Sequence, residues 1–516
     1  VTTPPMTVRS FWDGRVAASG ADPFVSFGTT TWRYREFDEW VNELANGLSG
    51  AGVRAGDRVT LLLPNGIDLL RTELAAAKLG AVVIPIIPGS ALADIAHVLQ
   101  NSRPRFLISD KPSWEVITGD PDLVTELDAC FVHGSGSPGS GARSHRELES
   151  GDRSAPALPP TRPMDPAAIM YTSGSTSKPK GVIQPQAGVA TAGHAIAGRL
   201  SATSQDHWLC AMPLFHTAGT HMIVAAVIAS GGRMTVMSRF DPVEFWRIAR
   251  AGRTTVAMMV PTMLAMLAAQ PPAPSDHDHD FRIFVTHVRP AGFQERFGVD
   301  MATVWAMTET SGLGTLTEAG YHGHAEQLVG WPYPDDARIQ VVNSEGHALP
   351  PGTTGELCFA HPHAMLGYDN DPENTASTLV DGWVRSGDLA RIDADGRVFF
   401  EGRLKNVIKR SGENIAAEEV EFALTAHPSI VDCVVSSVPD PIRIEEVHAT
   451  VSVDSGSEIT PERITEWAAS RLARWKIPRY IQIAVEPLPR MANGKIDRTA
   501  VKAGIDTSSC WDARRT

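Results

Sequence analysis

Two rhythms of apolar and polar positions run along the first 300 residues. Arg58–Leu63 (RVTLLL) is a short β-rich run, Leu69–Leu79 has helical spacing, and Ala81–Ile87 (AVVIPII) is β-rich again. Strands alternating with helices predict a parallel, doubly wound sheet. The same rhythm returns across Val182–Val236, at Thr254–Val260 and at Arg282–Val288. From Arg338 to Phe400 the pattern changes to short strands with turn signals, a β-rich subdomain. After Leu404 comes a helix at 416–427 (AAEEVEFALTAH), a strand at Val431–Val438 and a helix at Ile464–Leu472. That order reads as a small α+β domain behind a short hinge. Gly134–Pro166, rich in Gly, Ser and Pro, reads as a long loop. The longest apolar stretch, Val256–Ala269, is interrupted by Pro261 and is shorter than the roughly 18 residues of a membrane span. It reads as buried helix.

A chain of 516 residues exceeds one ordinary core, so the fold expected is α/β with more than one domain. Its 46 basic against 59 acidic residues leave a net charge of −13. Nucleic acid and anionic membranes need basic surface, so neither is an expected partner. An anion must instead be held locally, by backbone amides and a few placed cations. The five cysteines are far apart, with no CxxC pair. That usage suits reduced thiols better than a disulfide frame or a zinc site. With no apolar signal-peptide run in residues 1–15, a cytoplasmic location is expected.

The densest chemical signal is Tyr171-Thr-Ser-Gly-Ser-Thr-Ser-Lys-Pro-Lys-Gly-Val182. Small hydroxyl residues around a glycine let a loop close over phosphates, offering backbone N–H and side-chain O–H donors. A strand-like AAIMY leads into it, which favours this reading over a flexible surface loop. The Walker A spacing is absent. Lysine is scarce: nine in the chain, with arginine carrying the remaining positive charge. Five of the nine (Lys78, Lys178, Lys180, Lys405 and Lys495) fall inside motif blocks, where an incidental cation would normally be arginine.

This loop resembles the phosphate loop of the adenylate-forming superfamily, which comprises acyl-CoA synthetases, the adenylation domains of peptide synthetases and firefly luciferase. Further segments resemble its motifs in the right order. Residues 61–90 are similar to its N-terminal signature and Pro213-Leu-Phe-His-Thr-Ala-Gly219 to its substrate-side motif. Trp305-Ala-Met-Thr-Glu309 resembles its Tyr-Gly-x-Thr-Glu, and Ser386-Gly-Asp-Leu389 its ribose motif. Glu401-Gly-Arg-Leu-Lys-Asn406 resembles the hinge, and Asn493-Gly-Lys-Ile496 the C-terminal lysine motif. Residues 407–480 look closest to the bacterial carnitine/crotonobetaine–CoA ligase type.

The resemblance implies a large N-terminal domain, 1–403, for ATP and acid binding, and a small mobile C-terminal lid, 404–516, hinged near Lys405. It implies activation of a carboxylic acid as acyl-adenylate with pyrophosphate release, then transfer to CoA. A stand-alone amide synthetase using an amine, or loading of a separate carrier protein, are the alternatives. ATP would be held by Thr172, Ser173, Gly174, Ser175, Thr176, Ser177, Lys180, Trp305, Asp388 and Arg403. Asp388 suits the two ribose hydroxyls, which are donors. Thr308 and Glu309 would be catalytic with Lys495, and Glu309 offers Mg²⁺ a hard oxygen ligand. Lys495 would stabilise charge at the carboxylate and the α-phosphate. His216, Ser411 and Gly412 fall on the acyl and acceptor side. A homodimer is compatible with all of this.

Several positions depart from the family pattern. Ser177 replaces a glycine of the phosphate loop, and Trp305 replaces a tyrosine that stacks on adenine; an indole can stack or serve the core. Thr286-His-Val288 stands where a Gly-Gly-Ala-like adenine shelf is expected, and Ser411 replaces the first glycine beside the pantetheine tunnel. The run Asp276-His-Asp-His-Asp280 invites a metal reading but lies in a polar, Pro-rich stretch. No Phe-Asp-x-x of the kind that pairs with an α-ammonium lies near His216, which speaks against an α-amino acid substrate.

Overall fold

The computed structural model describes residues 6–134, 137–139, 141–156, 161–172, 179–323, 325, 327–410, 413–454, 456–484, 486–491 and 495–514. Three sheets organise them. An eight-stranded sheet holds Arg58–Leu62, Val82–Pro85, Phe106–Asp110 and Ala129–His133 in parallel, and also the hairpin Pro166–Thr172/Lys180–Pro185. A longer sheet carries the parallel strands His207–Cys210, Arg233–Val236, Val256–Met258, Ile283–Thr286 and Asp300–Ala306. It continues without a break into the antiparallel strands between Gly314 and Arg403. The third sheet starts at Val407 and contains the paired strands Ile430–Asp440 and Ile444–Val453.

The main core lies between the first two sheets, where Leu61, Leu70, Ala75, Val224, Val285 and Val304 are all nearly inaccessible. Strands covered on both faces are apolar almost throughout, which explains RVTLLL and AVVIPII. The third sheet has its own core, built from Ile408, Ile415, Val420, Leu424 and Val447. The expected helices occur at Ile67–Lys78, Ala417–Thr425 and Pro461–Ala469.

Two expectations need correction. The stretch Val256–Ala269 is a buried strand, Val256–Met258, followed by a helix, Pro261–Ala268, with Pro261 in its first turn. Proline is tolerated there because the first-turn N–H has no intrahelical partner to lose. The segment taken as a long loop contains a short strand, Arg143–Ser144, and a 3₁₀ turn at His145–Leu148. Among the described residues no helix is long and apolar enough to cross a membrane.

One lysine of the scarce nine is structural. Lys78, only 2 % exposed, ends its helix with Nζ at 2.7 Å from Asp38 and 2.9 Å from Asp13. Asp38 also accepts the Trp12 indole N–H at 2.6 Å. Three helices are thereby tied at one buried charge. Removing one partner of a buried pair leaves the other uncompensated, at a cost of about 3–5 kcal/mol. Lys78→Met is expected to lower the urea midpoint of the N-terminal region well below wild type, and an unchanged midpoint would contradict this account.

Candidate active site

The hairpin Pro166–Thr172/Lys180–Pro185 sets the site's base. Thr172 and Lys180 face each other in register. Ser173, Gly174, Ser175, Thr176 and Ser177 lie outside the described residues. Lys180 Nζ sits 4.6 Å over the Tyr368 ring and 3.3 Å from Asn374 Oδ1. The Tyr368 hydroxyl donates to Glu309 Oε1 at 2.8 Å. Fully buried Gln184, on the hairpin's second strand, donates to the Thr308 carbonyl at 2.8 Å and to Thr217 Oγ1 at 3.1 Å. One hairpin therefore fixes the phosphate-loop base, the Thr308-Glu309 pair and the segment beside His216.

Asp388 lies on Trp383–Ile392 just after Gly387, whose φ of +68° makes the turn that glycine tolerates. Its register partner across the sheet is Arg403. Arg403 Nε is 2.7 Å from Oδ1, and Trp305 Nε1 donates to Oδ2 at 2.7 Å. Burial pushes this inaccessible carboxyl up to about 6, while Arg403 and the indole pull the other way. Trp305 itself is 5 % exposed and packs with Leu313, Val329 and Phe359, so of its two expected roles it fills the core one and adds a hydrogen bond.

The C-terminal unit brings cations to the same place. The Met491 N–H donates to the Lys495 carbonyl at 2.8 Å. Its pKa is lowered, first by surrounding protein and then by Arg403. Lys495 in turn helps depress His216, whose main cause is burial, to about 4. Lys405 is lowered by desolvation, Arg403 and Arg498. His287 is lowered by desolvation, offset partly by its bond to the Val304 carbonyl and furthered by Lys495 and Arg403. Both Lys495 and His287 retain exposed surface although protein crowds them.

Glu418 ties the two parts across the hinge segment. Its carboxylate accepts from the Arg403 backbone N–H at 3.1 Å and from the Asn406 side chain. Ser411 and Gly412 lie outside the described residues. The Asp276–Asp280 run is used structurally: Asp276 pairs with Arg296, Asp280 with Arg253, and His279 bonds the Phe297 carbonyl. No group of three metal-ligating side chains occurs among the described residues. Sequence reasoning missed Gln184, Tyr368 and Glu418, which no local motif marks as site residues.

The profile described as AMP-binding enzyme matches residues 12–369, and that described as AMP-binding enzyme C-terminal domain matches 419–495. The chain belongs to the AMP-binding enzyme family. A crotonobetaine/carnitine–CoA ligase of Salmonella arizonae is 31% identical over 482 residues, covering 91% of this chain and 92% of that protein. An anthranilate CoA ligase structure in complex with anthranoyl-AMP superposes with a TM-score of 0.89 at 22% identity, covering 97% of this chain and 98% of that one. The amide bond synthetase of Marinactinospora thermotolerans gives 0.84 at 22% identity, covering 97% and 100%. The last two show this AMP-binding enzyme's fold.

Asp388 carries a test of the electrostatics. Its folded pKa is raised to about 6 from 3.8, so the native state binds the proton more tightly than the unfolded one. Its ionisation therefore opposes folding above about pH 6, and the penalty disappears as pH falls towards 4. Asp388→Asn is expected to stabilise the protein at pH 7.5 by up to about 3 kcal/mol, with most of the gain lost near pH 4. Thermal denaturation of both forms across this range checks the sign.

Proposed function

We propose that this chain uses ATP to activate a carboxylic acid as its acyl-adenylate, releasing pyrophosphate, and then passes the acyl group to CoA with release of AMP. The observation that supports this most is the proximity of Lys495 from the C-terminal unit to His216 and to Arg403, which pairs with Asp388. In this reading residues 1–403 bind ATP and acid, residues 404–516 form the lid, and Lys405 marks the hinge. The five buried thiols fit a cytoplasmic setting.

The roles follow from charge. In the first step a carboxylate oxygen attacks the α-phosphorus and pyrophosphate departs. Negative charge builds on the transferring group, so catalysis is mainly positioning and electrostatic stabilisation. Lys495 supplies a compact cation between carboxylate and phosphate, and Thr308 and Lys180 hold the phosphate side. Residues 173–177 would hold the triphosphate with N–H and hydroxyl donors. Asp388, kept in place by Trp305, would accept the ribose hydroxyls once Arg403, the more exposed partner, moves off Oδ1. Glu309 fits Mg²⁺, which takes one or two carboxylates together with phosphates; the hydrogen bond from Tyr368 fixes Oε1 and leaves Oε2 available. The metal would neutralise phosphate charge. His216, neutral at physiological pH, lines the acyl side without adding charge beside Lys495. Ser411 and Gly412 border the acceptor's path.

Lys495→Ala should reduce ATP–pyrophosphate exchange about 10²- to 10³-fold while leaving ATP binding largely intact. Near-normal exchange in that variant would sink the assignment. The second step is read by mass spectrometry of products formed with CoA and, separately, with small amines. A thioester with CoA is expected. Amide without thioester would make the chain an amide synthetase and leave the first step standing.

A further inference from the structure

His287 occupies a position where glycine would expose bare backbone, and its surroundings give it a defined chemistry. It follows the strand Ile283–Thr286, whose alternate residues Ile283 and Val285 face the main core while Phe284 faces the outer cluster. Strand alternation carries His287 to the inner side. Phe215, Val260 and Ala306 are partly buried hydrophobics packed against that same core. Nδ1 lies 2.9 Å from the Val304 carbonyl, an acceptor only, so Nδ1 carries the proton. Nε2 therefore holds a lone pair, and it makes no hydrogen bond among the described residues while the side chain stays exposed. The charged groups close enough to act on this ring are Lys495 and Arg403, both cations.

We infer that His287 selects the acid: its fixed Nε2 acceptor recognises a neutral N–H or O–H donor on an otherwise apolar carboxylic acid whose carboxylate lies at Lys495. This rests on the adenylation reading above and names the substrate class for the same site. A donor-bearing acid satisfies the acceptor, whereas an acid lacking the donor leaves it desolvated and unpaired. A cationic acid, such as one with a quaternary ammonium, has no proton to give there and meets two cations. Selection of this kind needs the tautomer that Val304 imposes, because the opposite one would present a donor.

The test is ATP–pyrophosphate exchange with matched aryl acids: hydroxy- or amino-substituted, unsubstituted, and methoxy-capped. Wild type is expected to favour the best donor-bearing acid by about 10-fold or more in kcat/KM over both partners. In His287→Phe, which keeps a ring and removes the acceptor, the ratio should fall to about 1. In His287→Gln, whose amide oxygen can accept, it should partly return. Ratios within one variant do not depend on how much of it is folded. An unchanged preference in His287→Phe would overturn the inference while exchange itself upholds adenylation. Exchange with no acid in wild type, even at high substrate, would overturn both.

Discussion

The site depends on one buried carboxylate. Asp388 has no accessible surface, and it persists there because Arg403 and Trp305 flank it from separate strands. A buried charge is tolerated only when paired and hydrogen-bonded. The pairing joins the last strand before the hinge to the centre of the long sheet. Arg403 also contributes to lowering the pKa of Lys495, Lys405 and His287. The same guanidinium thus holds the carboxylate and sets the field in which the lid's lysine sits.

Glu418 links the C-terminal unit to the strand that precedes it. It reaches the Arg403 backbone and Asn406 on either side of Leu404-Lys405 while facing Arg498 in its own unit at 3.7 Å. Contacts of this kind are polar and separable, unlike the dry core of the third sheet. The 404–406 segment is a single 3₁₀ turn between the strand ending at Arg403 and the third sheet.

Much of this was legible in the sequence because the motifs sit at the ends of strands, where short segments carry the chemistry. The strand Pro166–Thr172 and Asp388 after Gly387 lie where local patterns place them. What stayed hidden comes from long-range pairing. Tyr368 meets Glu309, and Gln184 meets Thr308, only because separate strands bring them together. Trp305 could be read as a stacking ring or a core residue until Asp388 was found against its N–H. The Val256–Ala269 run misled for another reason. A short buried strand and a buried helix share the same apolar composition, and periodicity cannot separate them.

The scarcity of lysine has a chemical consequence of its own. An acyl-adenylate is a mixed anhydride, and any that escapes the site acylates free amines. Arginine, protonated throughout the working range, is a poor target, so a surface whose cations are mostly guanidinium presents little to attack. Of the nine amines here, Lys78 is buried in its ion pair, and Lys476 is paired with Glu419. Such a protein is built to survive its own reactive intermediate.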